Sequence, residues 1–196
     1  ASGLVGGHLV AALISAGQAP VSTYHSDPIP LASVLDITQQ ADVLDLLEST
    51  KPGFVYLPAA LTNVDYCENH PDESYEINVR GVQNVVKAAN AIGSKLIYFS
   101  SDYIFNGMSG PYDETDSANP ISEYGRQKLA AEHYISLFAK KYLVIRTTIV
   151  YGWKRKGKNF VYNLIRSLKS GNSIRVPVDQ IGSPTYAKNL AEIAVE

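Results

Sequence analysis

Cysteine, long apolar runs and blocks of like charge are all scarce in this chain of 196 residues. Cys67 is the single cysteine, which excludes an internal disulfide and makes a reducing, cytoplasmic compartment the natural expectation. No apolar run approaches the roughly 18–20 residues that cross a bilayer, and the glycine-broken N-terminal run lacks a basic leader, so we expect neither a membrane partner nor a signal peptide. The net charge of -2 predicts no nucleic-acid partner.

What the chain does contain is a regular alternation of short apolar runs and amphipathic stretches. The apolar runs predict strands at 19–24, 53–57, 95–100, 142–147 and 174–177, and the amphipathic stretches predict helices at 8–17, 39–48, 71–91, 121–138, 160–170 and from Ala187 onward. This order predicts an α/β fold with a doubly wound parallel sheet, a Rossmann fold, over residues 1–152. A basic segment at 153–158 opens the remainder, 153–196, which we interpret as the start of a small C-terminal substrate-binding lobe.

Gly3 and Gly6 stand three residues apart immediately before the first predicted helix. Small residues there let a phosphate approach the unpaired N–H groups of the helix N-terminus. In dinucleotide-binding folds a strand and one more glycine come before this turn, so we expect roughly ten residues ahead of Ala1. A GxxG pair taken alone is equally compatible with simple flexibility where a helix begins.

The end of the second strand usually decides between the two nicotinamide dinucleotides. An acidic residue there binds the ribose 2′-hydroxyl of NAD, whereas a basic one accommodates the 2′-phosphate of NADP. This chain has Tyr24, His25 and Ser26 at that point, without an acid or an arginine. NADPH is therefore the expected cofactor and NADH the alternative, while His25 is equally explained as an exposed loop histidine.

Three further features suit a ligand at the carboxyl edge of the sheet. Asp36 precedes a helix that either Thr38 or Asp36 is able to cap, and contact with an adenine edge is the alternative role of Asp36. Ala59 and Ala60 follow a predicted strand, and small residues at that point allow close passage of a ligand. Asn78 lies inside a predicted helix, where asparagine is mildly unfavourable, which indicates a use unless the side chain is simply exposed.

The residues with the clearest chemistry lie between 100 and 128. Ser100 and Ser101 end a buried strand, and Tyr124 and Lys128 lie one helical turn apart on the helix that follows. With 13 tyrosines in the chain, a Tyr-x-x-x-Lys spacing arises near chance frequency, so its context carries the inference. Gly125 is costly inside a helix and indicates either backbone room beside a ligand or a frayed first turn.

Ketone reduction requires residues of this kind. A nicotinamide supplies a hydride, and the protein delivers a proton to the developing alkoxide. A tyrosine has an ordinary pKa of ~10, and a lysine cation one turn away is expected to lower it. A serine hydroxyl at the strand tip holds the same substrate oxygen against the tyrosine.

The chain also resembles a known family. The resemblance is carried by ASGLVGGHL, LDIT, PAALTNVDYCE, INVRGVQNV, FSSDYIFNG, PYDETDSANPISEYGRQKLAAE, RTTIVYG, NFVYNLI and DQIGSPTYAKNLA. It is similar to the extended short-chain dehydrogenases/reductases, and most similar to the dTDP-4-dehydrorhamnose reductase family. SSDYIFNG with GPYDE and DQIGSPTY is much more specific to this family than GxxG or Tyr-x-x-x-Lys. Position 101 is serine where many family members have threonine, which keeps the hydroxyl.

The resemblance implies a role for individual residues. Ser101, Tyr124 and Lys128 are the expected catalytic residues. With the residues discussed above, the expected cofactor-binding set is Gly3, Leu4, Val5, Gly6, His25, Ser26, Asp36, Ile37, Ala59, Ala60, Thr62, Asn78, Tyr124 and Lys128. Asp102 and Tyr103 are expected beside the sugar, and Asn159 with the loop 179–185 near the substrate lobe, and no metal site is expected.

Family members reduce the 4-keto group of a dTDP-6-deoxy-sugar with NADPH or NADH and yield dTDP-L-rhamnose, so the expected partner is a dTDP-sugar. Two alternatives stay open: a nucleotide-sugar epimerase or dehydratase with bound NAD, and a non-catalytic dinucleotide-binding regulatory subunit resembling that of methionine adenosyltransferase. Relatives continue beyond Glu196, so we expect both ends of the chain to be truncated. A homodimer through the helices 71–91 and 121–138 is an arrangement that the sequence leaves open.

Overall fold

The computed structural model describes residues 1–153 and 159–196. These residues form two units, one made of Ala1–Val34 with Thr147–Glu196 and the other of Leu35–Arg146. The division differs from the boundary after residue 152 that we predict from the sequence, which stays a prediction about the domains of the full-length protein. Apart from Trp153, the basic segment at 153–158 lies outside the described residues.

The helices and strands follow in the alternating order that the sequence predicts. The strands are β1 (Ser22–Tyr24), β2 (Ala32–Val34), β3 (Phe54–Leu57), β4 (Lys95–Ser101), β5 (Tyr142–Thr147), β6 (Val150–Tyr151) and β7 (Thr185–Tyr186). The helices are α1 (Leu4–Ser15), α2 (Gln40–Thr50), α3 (Val64–Asn69), α4 (Pro71–Tyr75), α5 (Gly81–Ile92), α6 (Glu123–Phe138), α7 (Phe160–Lys169) and α8 (Ala187–Val195). A π-helical segment, Glu76–Arg80, joins α4 to α5, and a 3₁₀ turn, Asp102–Ile104, follows β4.

Strand pairing is parallel wherever its direction is defined. β1 pairs with β2 with Ser22 opposite Ala32, and β6 pairs with β7. In the unit Leu35–Arg146 the strand order is β3-β4-β5, and β3 runs parallel to β4 with Phe54 opposite Lys95. Because parallel neighbours need long crossover connections, the helices between these strands are a direct consequence of the pairing. The α/β class with parallel strands is confirmed.

The core of the unit Leu35–Arg146 is centred on β4. Every residue of this strand after Lys95 is buried, which confirms the predicted burial on both faces. The strands contribute the side chains of Leu57, Leu96 and Tyr98 to this core. The helices around them contribute Val43, Leu47, Val82, Val85, Val86, Ala131 and Ile135. This packing fixes the end of β4 and the start of α6, the two points that carry the predicted chemistry.

Some predicted elements differ from the observed ones. The strand predicted at 174–177 is wrong, since in the described residues its backbone joins no sheet and Val176 is 51% exposed. The helix predicted from residue 8 begins earlier, at Leu4. Helix α3 was not predicted, although Asn63 is an ordinary N-cap whose Oδ1 accepts from Tyr66 N at 3.0 Å. No helix in the part of the chain described here has both the length and the apolarity to cross a membrane.

Candidate active site

Ser101 closes β4 and begins the 3₁₀ turn that follows it. Its Oγ accepts a hydrogen bond from Tyr103 N at 3.3 Å and donates to Asp102 Oδ1 at 3.1 Å. The side chain is 8% exposed. The hydroxyl is therefore held in place by local backbone structure, and it still lies at the rim of the sheet, where open α/β sheets bind ligands.

Helix α6 begins next to this 3₁₀ turn, and hydrogen bonds to Ser122 and Glu68 hold the first turn of the helix. Ser122 is the N-cap, and its Oγ accepts from Gly125 N at 3.2 Å. Glu68, on α3, accepts from Glu123 N at 2.8 Å, so a carboxylate also satisfies the positive end of the helix dipole. A Cβ added to Gly125 would lie 2.1 Å from the carbonyl oxygen of Tyr103. The room that Gly125 leaves is therefore taken by protein backbone and not by a ligand.

Tyr124 lies against the end of β4. Its side chain is 7% exposed, and its ring meets the ring of Tyr103 edge to face with centroids 5.7 Å apart. Burial raises the pKa of Tyr124 to about 12, a hydrogen bond with Ser101 opposes the rise, and Cys67, Asp102 and Tyr103 add to it. Ser101 and Tyr124 thus form the hydroxyl pair that the sequence predicts, and Tyr124 carries its proton at neutral pH.

Lys128 lies one turn further along α6 and points at the same strand. Its Nζ donates to the carbonyl oxygen of Phe99 at 2.6 Å and lies 4.2 Å from the centroid of the Tyr98 ring. The side chain is 2% exposed. Burial lowers the pKa of Lys128 to about 7, against the opposing charge of Glu132.

The structure does not give Tyr124 the lowered pKa that its spacing from Lys128 predicts. We predict from the sequence that the lysine cation lowers the pKa of Tyr124, and for the protein alone this is wrong. Desolvation of the phenolate outweighs other influences, because the ring is nearly enclosed. The lysine is itself pushed toward its neutral form, so it offers less charge near neutrality than an exposed lysine would.

Asp102 and Tyr103 form the open side of this cluster. Both are exposed, Tyr103 at 46%, and both directly follow the buried Ser101. Their position next to the Ser101 and Tyr124 hydroxyls agrees with the expected contact to the sugar, which stays a prediction.

The loop after β3 carries three predicted cofactor residues, of which Ala59 and Thr62 are exposed and Ala60 is half-buried. Asn78, 1% exposed, holds the loop at Leu61: its Oδ1 accepts from Leu61 N at 2.8 Å and its Nδ2 donates to Leu61 O at 3.0 Å. The predicted contact between Asn78 and the dinucleotide stays a prediction. What is observed is that Asn78 fixes the path of the loop.

Asp36 and Ile37 lie in a tight turn before α2. Asp36 Oδ1 accepts from Thr38 N at 2.9 Å and from Thr38 Oγ1 at 2.8 Å. The N-cap of α2 is Gln39, which makes no side-chain capping bond, so the helix-cap interpretation of Asp36 is wrong. Asn84 of α5 donates to the carbonyl oxygens of Ile37 and Thr38 at 3.0 Å each, a contact across the sequence that no local pattern reveals.

The glycine turn lies at the start of α1, in the other unit. Gly3 is the N-cap, and Leu4, Val5 and Gly6 form the first turn, whose N–H groups are free of helical partners by geometry. A Cβ on Gly6 would lie 2.9 Å from the Cα of Ala1, so glycine is needed for this close approach. A cavity of about 430 Å³ opens here, lined by Ala1, Ser2, Gly3, Leu4, Gly7, His8, Val10, Ala11, Ile29 and Trp153. A phosphate site at this helix N-terminus stays a prediction.

The remaining predicted residues have structural surroundings of their own. His25 and Ser26 directly follow β1 and are exposed. Asn159 is the N-cap of α7: its Oδ1 accepts from Tyr162 N at 3.0 Å and its Nδ2 donates to Gly152 O at 2.9 Å. The loop 179–185 is exposed over most of its length. No cluster of three His, Cys, Asp or Glu side chains able to hold a metal ion occurs in the ranges 1–153 and 159–196.

Sequence reasoning missed an ion pair behind the site, between the buried Glu132 and the partly exposed Arg146. Arg146, on β5, contacts both carboxylate oxygens of Glu132 on α6, with Nη2 2.8 Å from Oε2 and Nε 3.2 Å from each oxygen. Its guanidinium carbon also lies 5.6 Å from the centroid of the Phe105 ring. The spacing of Lys128 and Glu132, one turn apart, is the only local signal that pointed to Glu132.

The chain is similar in sequence to a known protein family. The profile of the family described as RmlD substrate binding domain matches residues 1–196. The dTDP-4-dehydrorhamnose reductase of Aggregatibacter actinomycetemcomitans is 36% identical over 165 residues, which are 84% of this chain and 55% of that protein. The chain spans about half the length of the curated relatives it matches.

Two solved structures extend the comparison. A hypothetical dTDP-4-dehydrorhamnose reductase from Sulfolobus tokodaii superposes with a TM-score of 0.88 at 31% identity, covering 99% of this chain and 68% of that one. The dTDP-4-dehydrorhamnose reductase of Bacillus anthracis, in complex with NADP, gives a TM-score of 0.77 at 39% identity and covers 81% of this chain and 56% of that one.

Proposed function

This chain belongs to the RmlD substrate binding domain family, the dTDP-4-dehydrorhamnose reductase family of extended short-chain dehydrogenases/reductases, and from that membership we propose the activity of the full-length protein. It reduces the 4-keto group of a dTDP-activated 6-deoxy-sugar with NADPH, in the synthesis of dTDP-L-rhamnose or a related sugar. The observation that carries the proposal is the hydroxyl pair of Ser101 and Tyr124 beside Lys128, at the rim of the sheet.

Each of these side chains has a distinct task in the proposed reaction. Ser101 donates a hydrogen bond to the carbonyl oxygen of the substrate by turning its hydroxyl hydrogen away from Asp102 Oδ1, while the bond from Tyr103 N holds its oxygen in place. Tyr124 donates its proton to the same oxygen as negative charge develops there, and its pKa of about 12 means that it is protonated at neutral pH. Lys128 lies one turn behind the tyrosine, and its pKa of about 7 lets its charge change close to neutrality. NADPH supplies the hydride when bound.

The cofactor residues that the resemblance implies occur in each unit. In one unit the turn Gly3–Gly6 takes the phosphates, and His25 and Ser26 lie after β1, where the ribose is recognised. In the other unit the proposed contacts to the dinucleotide are Asp36, Ile37, Ala59, Ala60, Thr62 and Asn78, and Asn78 also holds the loop at Leu61. The NADP complex of the Bacillus anthracis relative supports NADPH as the preferred cofactor, with NADH as the second choice.

The decisive test measures consumption of NADPH by the purified full-length protein given a dTDP-4-keto-6-deoxyhexose. Tyr124→Phe removes only the hydroxyl and is expected to lower kcat by roughly 10²–10⁴, the usual contribution of a positioned proton donor. Tyr134→Phe, a half-buried tyrosine on the same helix, is the matched control. Absence of turnover in the wild type, or equal turnover in Tyr124→Phe, refutes the proposal.

Cofactor stoichiometry separates this reaction from the alternatives on the same scaffold. A reductase consumes one NADPH for each sugar, whereas an epimerase or dehydratase retains tightly bound NAD and consumes none. A regulatory subunit gives no turnover and copurifies with a partner protein in fixed ratio. Finding either pattern replaces the reductase assignment.

The proposal extends to the domain organisation, the compartment and the partners of the full-length protein. The dinucleotide-binding domain comprises residues 1–152, and 153–196 begin the substrate lobe, in which Asn159 and the loop 179–185 lie near the sugar.

The enzyme works in the reducing cytoplasm, in keeping with its single cysteine, Cys67, which is a buried free thiol. Its partner is the dTDP-sugar, and a homodimer through the helices preceding and following β4 is testable by light scattering of the full-length protein.

A further inference from the structure

Gln127 is a buried glutamine with a nearly complete set of hydrogen-bond partners. It lies between Tyr124 and Lys128 in the sequence and is 1% exposed. Its Nε2 lies 2.8 Å from Ser74 Oγ, 3.0 Å from Glu123 Oε1 and 3.2 Å from the carbonyl oxygen of Pro71. A primary amide has two hydrogens for these three acceptors, so both are used.

The other end of the same amide reaches toward the loop after β3. Gln127 Oε1 accepts from Asn78 Nδ2 at 2.9 Å. Asn78 in turn bonds both backbone groups of Leu61. An unbroken chain of hydrogen bonds therefore runs from α6 through Gln127 and Asn78 to the loop 58–62. We call these two side chains the amide clamp.

The backbone around Asn78 is shaped to make this contact. Asn78 lies in the π-helical segment Glu76–Arg80, which interrupts the regular helix between α4 and α5. Such segments are rare and occur frequently at functional sites, because the wider turn re-aims a side chain. Here the re-aimed side chain is the one that contacts Leu61. Ser74, which is fully buried, completes the support by accepting from Gln127 and donating to the carbonyl oxygen of His70 at 2.9 Å.

We propose that Gln127 is a positioning residue that, through the amide clamp, fixes the loop 58–62 relative to Tyr124 and Lys128. The inference rests on the proposed function, in which that loop lines the dinucleotide and the two side chains serve the reacting end of the substrate. Because Gln127 is 1% exposed, it acts through its protein partners. Through its hydrogen bonds it holds the loop after β3 in a fixed position relative to α6.

Glutamine suits this task for chemical reasons. Asn78 requires a hydrogen-bond acceptor at this position. The Pro71 carbonyl, Ser74 and Glu123 require a donor. A primary amide provides both on one rigid plane. A carboxylate at this position would meet Glu123 and the Pro71 carbonyl with no hydrogen to donate. An apolar side chain of similar size fills the space but leaves Asn78 with one acceptor fewer, and an unmade buried hydrogen bond loosens its other partner.

The test compares wild type, Gln127→Met and Ile135→Val in the full-length protein. Ile135 is a fully buried residue on the same helix outside the amide clamp, so Ile135→Val reports general destabilisation. Hydrogen exchange of a peptide covering 58–63 is the first measurement, and the Kd for NADPH is the second. Gln127→Met is expected to speed exchange in that peptide and raise the Kd, each by roughly ten-fold, the scale of one net hydrogen bond. Ile135→Val is expected to change neither selectively.

Two results overturn the inference: unchanged exchange in 58–63 in Gln127→Met, or faster exchange by the same factor throughout the molecule. If wild type itself binds no NADPH, the proposed function fails, and the exchange measurement still decides the role of Gln127. Should Gln127→Met fail to fold, Asn78→Asp is the second variant, since a carboxylate has no hydrogen to donate to Gln127 Oε1 or to the carbonyl oxygen of Leu61. It is expected to speed exchange selectively in the same peptide, and no local acceleration in Asn78→Asp refutes the amide clamp.

Discussion

At the scale of single residues, the site is governed by burial. Tyr124 and Lys128 are 7% and 2% exposed. Burial raises the pKa of Tyr124 to about 12 and lowers the pKa of Lys128 to about 7, so each side chain is driven toward its neutral form. The protein alone therefore keeps the proton on Tyr124 throughout the physiological range, while the charge of Lys128 changes close to neutrality.

The first prediction concerns the dependence of stability on pH. In the unfolded chain Lys128 has its ordinary pKa of 10.5, against about 7 in the folded protein. Between these values the unfolded state binds more protons, so the unfolding free energy rises with pH, and the burial penalty is fully present below pH 7. Lys128→Met removes this dependence. The stability of wild type relative to Lys128→Met is expected to increase by roughly 3–5 kcal/mol from pH 6.5 to pH 10.5.

Urea unfolding of both proteins across this pH range measures the difference. Lys87→Met, on the exposed surface of α5, is the matched control. A constant difference between wild type and Lys128→Met at every pH contradicts the prediction, since a lysine that keeps its charge on folding contributes no such slope.

The second prediction concerns Gly125. Alanine normally stabilises a helix by ~1 kcal/mol relative to glycine. Here the added Cβ would lie 2.1 Å from the Tyr103 carbonyl oxygen, a backbone atom that cannot turn away. Gly125→Ala is therefore expected to lower the unfolding free energy by about 1–3 kcal/mol, as overpacking of a close contact does, and to lower turnover because α6 moves away from Ser101.

Chemical denaturation and turnover of Gly125→Ala are compared with Gly53→Ala. Gly53 has open space around it, so its replacement is expected to change stability by less than about 0.5 kcal/mol. Wild-type stability in Gly125→Ala would mean that helix and turn are not in contact as described.

At the scale of elements, α6 is joined to β5 by the pair of Arg146 and Glu132. The Glu132 side chain is 8% exposed and the Arg146 side chain 30%. Arg146 also donates to the carbonyl oxygen of Glu114 at 3.4 Å and lies over Phe105, which stacks on Tyr112 with centroids 4.3 Å apart. A single guanidinium therefore connects the helix of the site, the neighbouring strand and the loop after Asp102.

The third prediction follows from this pair. Arg146→Leu leaves the Glu132 carboxylate buried without its partner and is expected to lower the unfolding free energy by roughly 2–4 kcal/mol, less than for a fully enclosed pair because Arg146 is partly exposed. Arg146→Leu combined with Glu132→Leu is expected to recover most of that loss. Arg80→Leu, which breaks the exposed pair with Glu76, is the control and is expected to cost less than about 1 kcal/mol. A double variant no more stable than Arg146→Leu contradicts this account.

Elements were predictable from the sequence to the extent that local patterns determine them. β4 and α6 carry strong patterns, an apolar run and a capped amphipathic helix, and both form close to where the sequence predicts them. The segment 71–91 predicts one continuous helix, whereas the π-helical turn Glu76–Arg80 interrupts it. Within that turn Asn78 bonds Leu61 and Gln127, which are distant in sequence, so no periodicity within the segment reveals these contacts.

At the scale of the molecule, the predicted site residues are distributed between two units. Ser101, Asp102, Tyr103, Tyr124 and Lys128 are brought together within Leu35–Arg146, as the strand-tip and helix pattern predicts. The glycine turn and the residues after β1 belong to the other unit. The titration of Tyr124 was not predictable, because spacing along a helix gives the distance to Lys128 but says nothing of how completely the fold encloses both groups.

Ser101 also bears on how such a protein changes over evolutionary time. Its hydroxyl caps the turn after β4 and, in the proposed reaction, holds the substrate oxygen. A mutation that removes the hydroxyl therefore harms folding and turnover together, so a second mutation elsewhere cannot restore one without leaving the other impaired. Only serine and threonine combine a small side chain with that group, which leaves this position almost no neutral variation. The exposed Asp102 and Tyr103 beside it share part of this constraint, since Asp102 accepts from Ser101 and the Tyr103 ring packs on Tyr124.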